Sequence, residues 1–571
     1  MSPIEDAYYL GVSNFTTRAD GAVNSNMSEA DIPLRVVPLN QSTSVKKVGR
    51  TASADLPAPA ESKTPTAWSA AWFWERACTF PAMLGVFLVG RVFYEARAFQ
   101  VDPDLWWHIR IGRDILSTRH WPTVDPYSFT VAGNPWIAYE WLGDVVIGSV
   151  ARVGGLLGLD VLLFAVATVV MLALYGYTTL RSGNSKAGFA ASFLLCSLAF
   201  ASFNLRPQMF GYLFLVLTLI ALELFCRGKE RAVWFLPPLI LLWINTHGSW
   251  VIGLGVIFVV LAAGLFEFQL GSVHAQKWTP SQRIKLETVL LLSLAVIPIT
   301  PYGTGLAAYP FTVASTLPLN VGNILEWQSM PFNVAGGKLF LAIVLGFFLV
   351  QMIAPFTLRL SEVVLLFSGI VMACLHLRFV LLFVPFVAPA LAVMLACWLP
   401  PYERKKDHFL PNAILMTAVV IAMVRYFPTE AGLKKIAAET FPVRAVEFIR
   451  QHPLQGPMFN TYGYGGYLLG MLPEQRVFID GRGDLYEEAG VFGEYLEVSD
   501  LKSGAFQVLR AHGIQACLLD RKEPLATVLS ALPDWEQRYS DEVSVLFVRR
   551  NLEAARPAQT ESGQTAPAVK E

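Results

Sequence analysis

The chain has 571 residues, of which 54% are hydrophobic and only 15% charged, and its mean hydropathy is +0.46. Soluble globular proteins carry about 25% charged residues, so this composition excludes an ordinary soluble fold and indicates a polytopic membrane protein. Basic and acidic residues both number 44, and a formal net charge of zero offers no basic surface to a nucleic acid.

Residues 1–70 are rich in Ser, Thr, Ala and Pro and show no sustained period. They lack the basic start and apolar core of a signal peptide, and they read as a disordered cytoplasmic tail. Apolar segments then recur near 78–99, 156–180, 187–204, 208–226, 232–249, 250–268, 286–301, 338–356, 362–376, 379–399 and 410–427. Each approaches the roughly 20 residues that a helix needs to cross a bilayer. The expectation is a mainly α fold with about 11 transmembrane helices over 78–427. The break between 232–249 and 250–268, Asn245 to Ser249, is tolerated at such a depth where it lines a cavity.

With the N-terminus inside, the cytoplasmic loops hold Arg181 and Lys186, Arg227 to Arg231, Lys277 to Lys285, Arg359, and Arg404 to Lys406. The opposite connections hold isolated cations such as Arg206 and Arg378. This is the positive-inside pattern. It places the first loop, 100–155, and everything after Phe427 outside. From 428 to 553 the composition becomes that of a soluble α/β domain. Val443 to His452 is expected as an amphipathic helix, and Arg476 to Asp480, Ala516 to Leu519 and Val543 to Val548 as strands. Residues 554–571 read as a structureless tail. Five of the six cysteines lie in or beside apolar runs, and no spacing suggests a disulfide framework or a zinc knuckle.

The first loop concentrates the chemistry. Asp102 and Asp104 flank Pro103, which pushes Asp102 towards extended backbone. Residues i and i+2 of extended chain project to one side, so both carboxylates can address one object. That object could be a divalent cation or an acceptor that needs a general base. The plainer alternative makes Asp104 the N-cap of a helix beginning near Leu105. Arg206 and Arg378, at two outward turns, offer forked donors that suit a phosphate; Arg206 could equally be an interfacial arginine reaching for water, and Arg378 a structural residue of the rim. His247 could donate to a phosphate or close the helix break. His108, and Glu140 between aromatic neighbours, are candidate substrate contacts. Asp480 and Arg482 could contact a glycan or stabilise a strand-to-loop turn.

The segments DPDLWWHIRIG, WPTVDPYSF, GNPWIAYEWLGD, NLRPQ, NTHGSW, TPYG, EWQS and FIDGRGDLY, over roughly 78–550, resemble the GT-C superfamily of integral-membrane glycosyltransferases. That superfamily includes oligosaccharyltransferases, protein O-mannosyltransferases and aminoarabinose transferases, and the chain looks most like a bacterial group within it. The resemblance implies transfer of a sugar from a polyprenyl-phosphate or polyprenyl-diphosphate donor, on the outer side of a bacterial inner membrane, to a glycan, lipid or protein acceptor. By position it makes Asp102 and Asp104 the catalytic residues, with Mg or Mn as the cation they could hold. Arg206, His247 and Arg378 fall to the donor phosphate, and His108, Glu140, Asp480 and Arg482 to the acceptor. A flippase or transporter of a lipid-linked saccharide is the alternative, together with a non-catalytic assembly factor. Carriers place ionisable groups within their spans, whereas Arg91, Glu223 and Glu267 lie near span ends and no internal repeat is evident.

Overall fold

The computed structural model describes residues 77–96, 102–199, 203–354 and 356–550. The tails expected at 1–70 and 554–571 lie outside the described residues. In chain order the bundle begins with α1 (Phe80–Ala96), α2 (Leu105–Thr118), α3 (Trp141–Ser182), α4 (Ser185–Ala199), α5 (Gln208–Cys226), α6 (Leu236–Thr246) and α7 (Trp250–Ala263). A hairpin of β1 (Phe268–Leu270) and β2 (Val273–Ala275) follows. Then come α8 (Pro280–Ala295), α9 (Gly305–Thr316), α10 (Pro318–Asn323), α11 (Ala335–Gln351), β3 (Leu358–Arg359), α12 (Leu360–Leu375), α13 (Val380–Ala396) and α14 (Phe409–Arg425).

Every apolar segment expected to span contains a helix. By length and composition, however, three are long and apolar enough to cross a membrane among the described residues: Trp141–Ser182, Gln208–Cys226 and Leu377–Ala396. A fourth is added if α14 and the helix Glu430–Thr440, bent by 64°, count as one span. Thr279 opens α8 ahead of its apolar run with a capping box to Gln282, and the backbone breaks at His247, between α6 and α7, inside the break expected at Asn245 to Ser249. Leu291, Leu349, Val371 and Ile421 are exposed, an apolar exterior of the kind a bilayer covers.

The 42 residues of α3 contain a break at Gly155, with φ 58° and ψ −149°, a conformation that favours glycine. Glu430 caps the second half by accepting the Leu157 N–H at 2.9 Å. The residues that charge alternation assigns to one side do meet. Arg181 pairs with Glu362, Arg359 with Glu223 at 2.5 Å, and Arg227 with Glu223 at 2.7 Å. These contacts gather one end of α3, α5 and α12, and the site described below lies at the other.

After α14 come α15 (Glu430–Thr440), α16 (Val443–Gln451), β4 (Met458–Asn460), α17 (Tyr462–Met471), α18 (Gly483–Glu488), α19 (Val491–Ser499), α20 (Ala505–Ala511), β5 (Ala516–Asp520), α21 (Pro524–Ala531), β6 (Trp535–Ser540) and β7 (Ser544–Arg549). The strands form one sheet in the order β4-β5-β7-β6, parallel between β4 and β5 and antiparallel elsewhere. The strand expected at Arg476 to Asp480 is not formed. Val477 makes an isolated bridge with Ser128 of the first loop instead. Phe129 and Thr130 add hydrogen bonds to the Val477 and Phe478 carbonyls at 3.1 and 2.6 Å. Trp107, Ile111, Tyr127 and Trp136 share one core with Phe459, Phe478 and Leu519. The first loop and the C-terminal sheet are therefore built around the same apolar interior, and the site sits where both meet the bundle.

Candidate functional site

The start of α2 assigns different work to its two aspartates. Asp102 is the capping residue: its Oδ1 accepts the Asp104 N–H at 2.8 Å, and its carbonyl accepts the Leu105 N–H at 3.2 Å. Asp104, at the N-cap position, makes no side-chain cap bond. Both carboxylates do address one object, which is Arg206. Arg206 Nε lies 2.6 Å from Asp102 Oδ2, Nη2 lies 3.2 Å from Asp104 Oδ2, and Nη1 lies 3.2 Å from Glu326 Oε1. The Asp102 side chain is 1% exposed, while those of Asp104 and Arg206 are 18% and 20% exposed and line a cavity of about 210 Å³. Burial pushes the Asp104 carboxyl up to about 7, against the opposing pull of Arg206.

Glycines bring the C-terminal region against this point. A Cβ on Gly481 would stand 1.8 Å from Asp104 Oδ1, and one on Gly466 would stand 2.3 Å from the Pro103 carbonyl oxygen. Only hydrogen fits at either position.

Glu140 precedes α3 without capping it. Its carboxyl lies between two imidazoles, with Oε1 3.2 Å from His247 Nε2 and Oε2 3.7 Å from His108 Nε2. The Ser249 N–H donates to His247 Nδ1 at 3.1 Å. The proton of a neutral His247 ring therefore sits on Nε2 and is donated to Glu140. His108 Nδ1 is 2.5 Å from Asp144 Oδ1. Burial raises the Glu140 carboxyl to about 8, and burial, with repulsion from Arg206, holds the His108 imidazole well below its ordinary value. Asn245, by contrast, is a structural tie: it accepts from Trp141 Nε1 at 2.9 Å and donates to the Ile299 carbonyl at 3.1 Å.

Arg378 enters the cavity from the turn between α12 and α13, with its guanidinium carbon 4.2 Å from the centroid of the Trp327 ring. His376 Nδ1 is hydrogen-bonded to the Trp327 carbonyl and fixes that ring's backbone. Among the described residues no carboxylate stands within ion-pair distance of Arg378.

Asp480 and Arg482 are not brought to the cavity. Arg482 has a side chain 0% exposed, donating to Asp480 Oδ2 and Asp125 Oδ1 at 2.7 Å each. Its guanidinium carbon lies 4.7 Å from the centroid of the Trp136 ring. Asp125 in turn accepts the N–H groups of Tyr127 and Ser128. The pair is a buried clamp between the first loop and the segment before α18, a structural role rather than a contact with the cavity.

Asp104, His108, Glu140, Arg206, His247 and Arg378 thus converge on one cavity, while Asp102 lies beneath it. Sequence reasoning does not single out Asp484, Tyr309, Asn320 or Glu326, which line the same space. Asp484 had a faint signal, as the third charged residue of the alternating Asp480, Arg482, Asp484 run. Asn320 and Tyr309 had none, because only tertiary packing turns them inward. Among the described residues no group of three or more His, Cys, Asp or Glu side chains is placed to hold a metal ion.

No family model matches the chain, and no curated protein matches it. Solved structures do. The oligosaccharyltransferase of Archaeoglobus fulgidus, tethered with an acceptor peptide, is similar with a TM-score of 0.48 and 11% identity, over 85% of this chain and 75% of that one. ArnT from Cupriavidus metallidurans, bound to undecaprenyl phosphate, is similar with a TM-score of 0.45 and 12% identity, over 81% of this chain and 97% of that one. Oligosaccharyltransferases belong to the superfamily that the sequence resembles.

Proposed function

We propose that the chain is a membrane glycosyltransferase that moves a sugar from a polyprenyl-phosphate or polyprenyl-diphosphate donor to an acceptor outside a bacterial inner membrane. The observation that carries this reading is one cavity holding a carboxylate, Asp104, beside the Arg206 guanidinium, with a second guanidinium, Arg378, seated on Trp327. Asp104, with its carboxyl near 7, is poised to take the proton of the acceptor nucleophile. The acceptor atom then bonds to the anomeric carbon. The bond from that carbon to the phosphate oxygen breaks, and its electron pair leaves with the polyprenyl phosphate. Arg378 holds the charge that develops there. Glu140, mostly protonated at neutral pH, can donate to the departing oxygen.

The donor set does not fit a divalent cation. Asp102 spends one oxygen on the Asp104 N–H and the other on Arg206, and Asp104 shares the same guanidinium. Arg206 is the cation these carboxylates hold, and no step is routed through a metal.

The test compares lipid-linked sugars and envelope glycans in a strain lacking the gene with those of the wild type. The expected result is a glycan short of one sugar, with the lipid-linked donor accumulating, restored by the wild-type gene and not by Asp104→Asn. Unchanged glycans and unchanged donor pools in the deletion strain would overturn the reading.

A further inference from the structure

Among the residues that line the cavity, Asn320 has a side-chain amide of fixed orientation. Glu487 Oε2 accepts both the Asn320 N–H, at 2.7 Å, and its Nδ2–H, at 2.6 Å, while Glu487 Oε1 accepts the Leu319 N–H at 2.6 Å. Three donors converge on one carboxylate, so the NH₂ end of Asn320 must face Glu487 and Oδ1 must point the other way. Asn320 is 3% exposed, and its Oδ1 is buried without a hydrogen-bond partner. It lines the cavity. Buried amide oxygens are nearly always satisfied, so an oriented, unpartnered one on a residue that lines a cavity is a site lacking a donor.

Its surroundings say which donor. A Cβ on Gly483 would lie 2.3 Å from Asn320 Oδ1 and 3.2 Å from the Tyr462 hydroxyl, so the oxygen, the phenol and the start of α18 meet at one place. The next residue, Asp484, accepts the Tyr309 hydroxyl on Oδ2 at 2.8 Å. The Tyr309 ring stacks on Tyr139 with centroids 3.9 Å apart and planes at 20°. The cavity therefore offers oxygen acceptors on Asn320 and Asp484 as well as the guanidinium of Arg378.

We infer that Asn320 and Asp484 form a subsite for the sugar ring of the lipid-linked donor, with Asn320 Oδ1 and the Asp484 carboxylate each accepting a hydroxyl hydrogen of the ring. The assignment rests on the glycosyltransferase reading and gives two sets of cavity groups separate duties. Arg378 faces the phosphate, and Asn320 and Asp484 read the ring attached to it. Neighbouring hydroxyls of a pyranose present two uncharged O–H donors on one edge, one for the unpartnered Asn320 oxygen and one for the Asp484 carboxylate that already accepts from Tyr309.

The test is a binding titration of the full chain in lipid nanodiscs against bare polyprenyl phosphate and its glucosyl, mannosyl and galactosyl esters. At least one ester is expected to bind about ten-fold more tightly than the bare lipid, the equivalent of one good hydrogen bond. Asn320→Ala and Asp484→Asn should each remove that gain and leave the affinity for bare polyprenyl phosphate unchanged. Arg378→Gln should weaken bare and sugar-bearing lipids alike. If both subsite variants keep the full gain, or weaken the bare lipid equally, the subsite is overturned while the glycosyltransferase reading stands. If no ester outbinds the bare lipid in the wild type, the subsite also fails. If polyprenyl phosphate does not bind the wild type at all, the underlying reading fails first.

Discussion

Asp102 and Arg206 are joined through one short contact, Oδ2 to Nε at 2.6 Å, and the second Asp102 oxygen is spent on the Asp104 N–H at 2.8 Å. Asp102 therefore holds the arginine and the helix start, and Asp104 above it is the carboxylate a substrate can reach. Asp104→Asn should lower turnover by about 10²- to 10⁴-fold, the usual worth of a positioned general base, with no change in thermal midpoint in detergent. Asp102→Asn should cost about 1–3 kcal/mol of stability, because it replaces a buried acceptor of Arg206 by an amide. Equal loss of turnover at unchanged midpoints in both variants would contradict this division.

The raised carboxyls set a pH dependence with a definite sign. Asp104 must lose its proton near 7 to act as base, and Glu140 must keep its own, near 8, to act as donor. The profile of kcat/KM should rise through about 7 and fall beyond about 8. For stability, both values lie above the ordinary 3.8 and 4.5, so the folded chain retains protons that the unfolded chain releases. The contribution is fully present below those ordinary values and is lost as pH rises through the folded ones. Thermal midpoints should fall as pH rises from 5 to about 8 and level off beyond, and Glu140→Gln should flatten the fall.

Periodicity and charge alternation carry much of this far. They locate a helix in each apolar segment, and they group Arg181, Arg227 and Arg359 at one end and Arg206, Arg378 and His247 at the other. They do not show that Asp102 is buried while Asp104 is open, because the two residues are equivalent in extended chain and differ only once Leu105 begins a helix. Arg482 looked like a ligand because it is a charge among glycines, and its true partner, Asp125, lies 357 positions away. An apolar run is a hydropathy signal, whereas a helix end is set by capping chemistry: Thr279 starts α8 at Pro280, ahead of the apolar run that begins near 286. Asn320 was invisible, since its meaning depends on Glu487 fixing the amide.

Gly481 tests how finely Asp104 is held. Any Cβ there would stand 1.8 Å from Asp104 Oδ1 and 3.0 Å from Trp107 Nε1. Gly481→Ala must swing the carboxylate off Arg206, and a displacement on the order of 1 Å can cost about 10²-fold in rate. The variant should insert normally and bind bare polyprenyl phosphate as the wild type does, yet turn over about a hundred-fold more slowly. Wild-type turnover in Gly481→Ala would show that Asp104 has no fixed role.

Arg206 as resident cation makes a separate prediction about metals. Treatment with a chelator should leave turnover within about two-fold, well under the several kcal/mol a Lewis-acid metal contributes. Arg206→Gln should reduce turnover regardless of added Mg or Mn, since two carboxylates would then repel each other. Loss of activity on chelation, restored by either cation in the wild type, would contradict the assignment.

The clamp at Arg482 sets how firmly the first loop is fastened to the sheet. Its guanidinium is 0% exposed and is shared by Asp125, from the loop, and Asp480, from the segment before α18. Arg482→Ala strands two buried carboxylates, and breaking a buried pair in this way costs about 3–5 kcal/mol. The expected outcome is a lower thermal midpoint and new proteolytic cleavage between His120 and Asn134, where the loop would leave the sheet. Neutralising what is left behind tests the cause. Adding Asp125→Asn and Asp480→Asn to Arg482→Met should recover much of the loss, because the burial cost falls on the unpaired charges. If the triple variant is no more stable than Arg482→Ala, packing of the guanidinium on Tyr127 and Trp136 holds the loop, and the ion pairs contribute little.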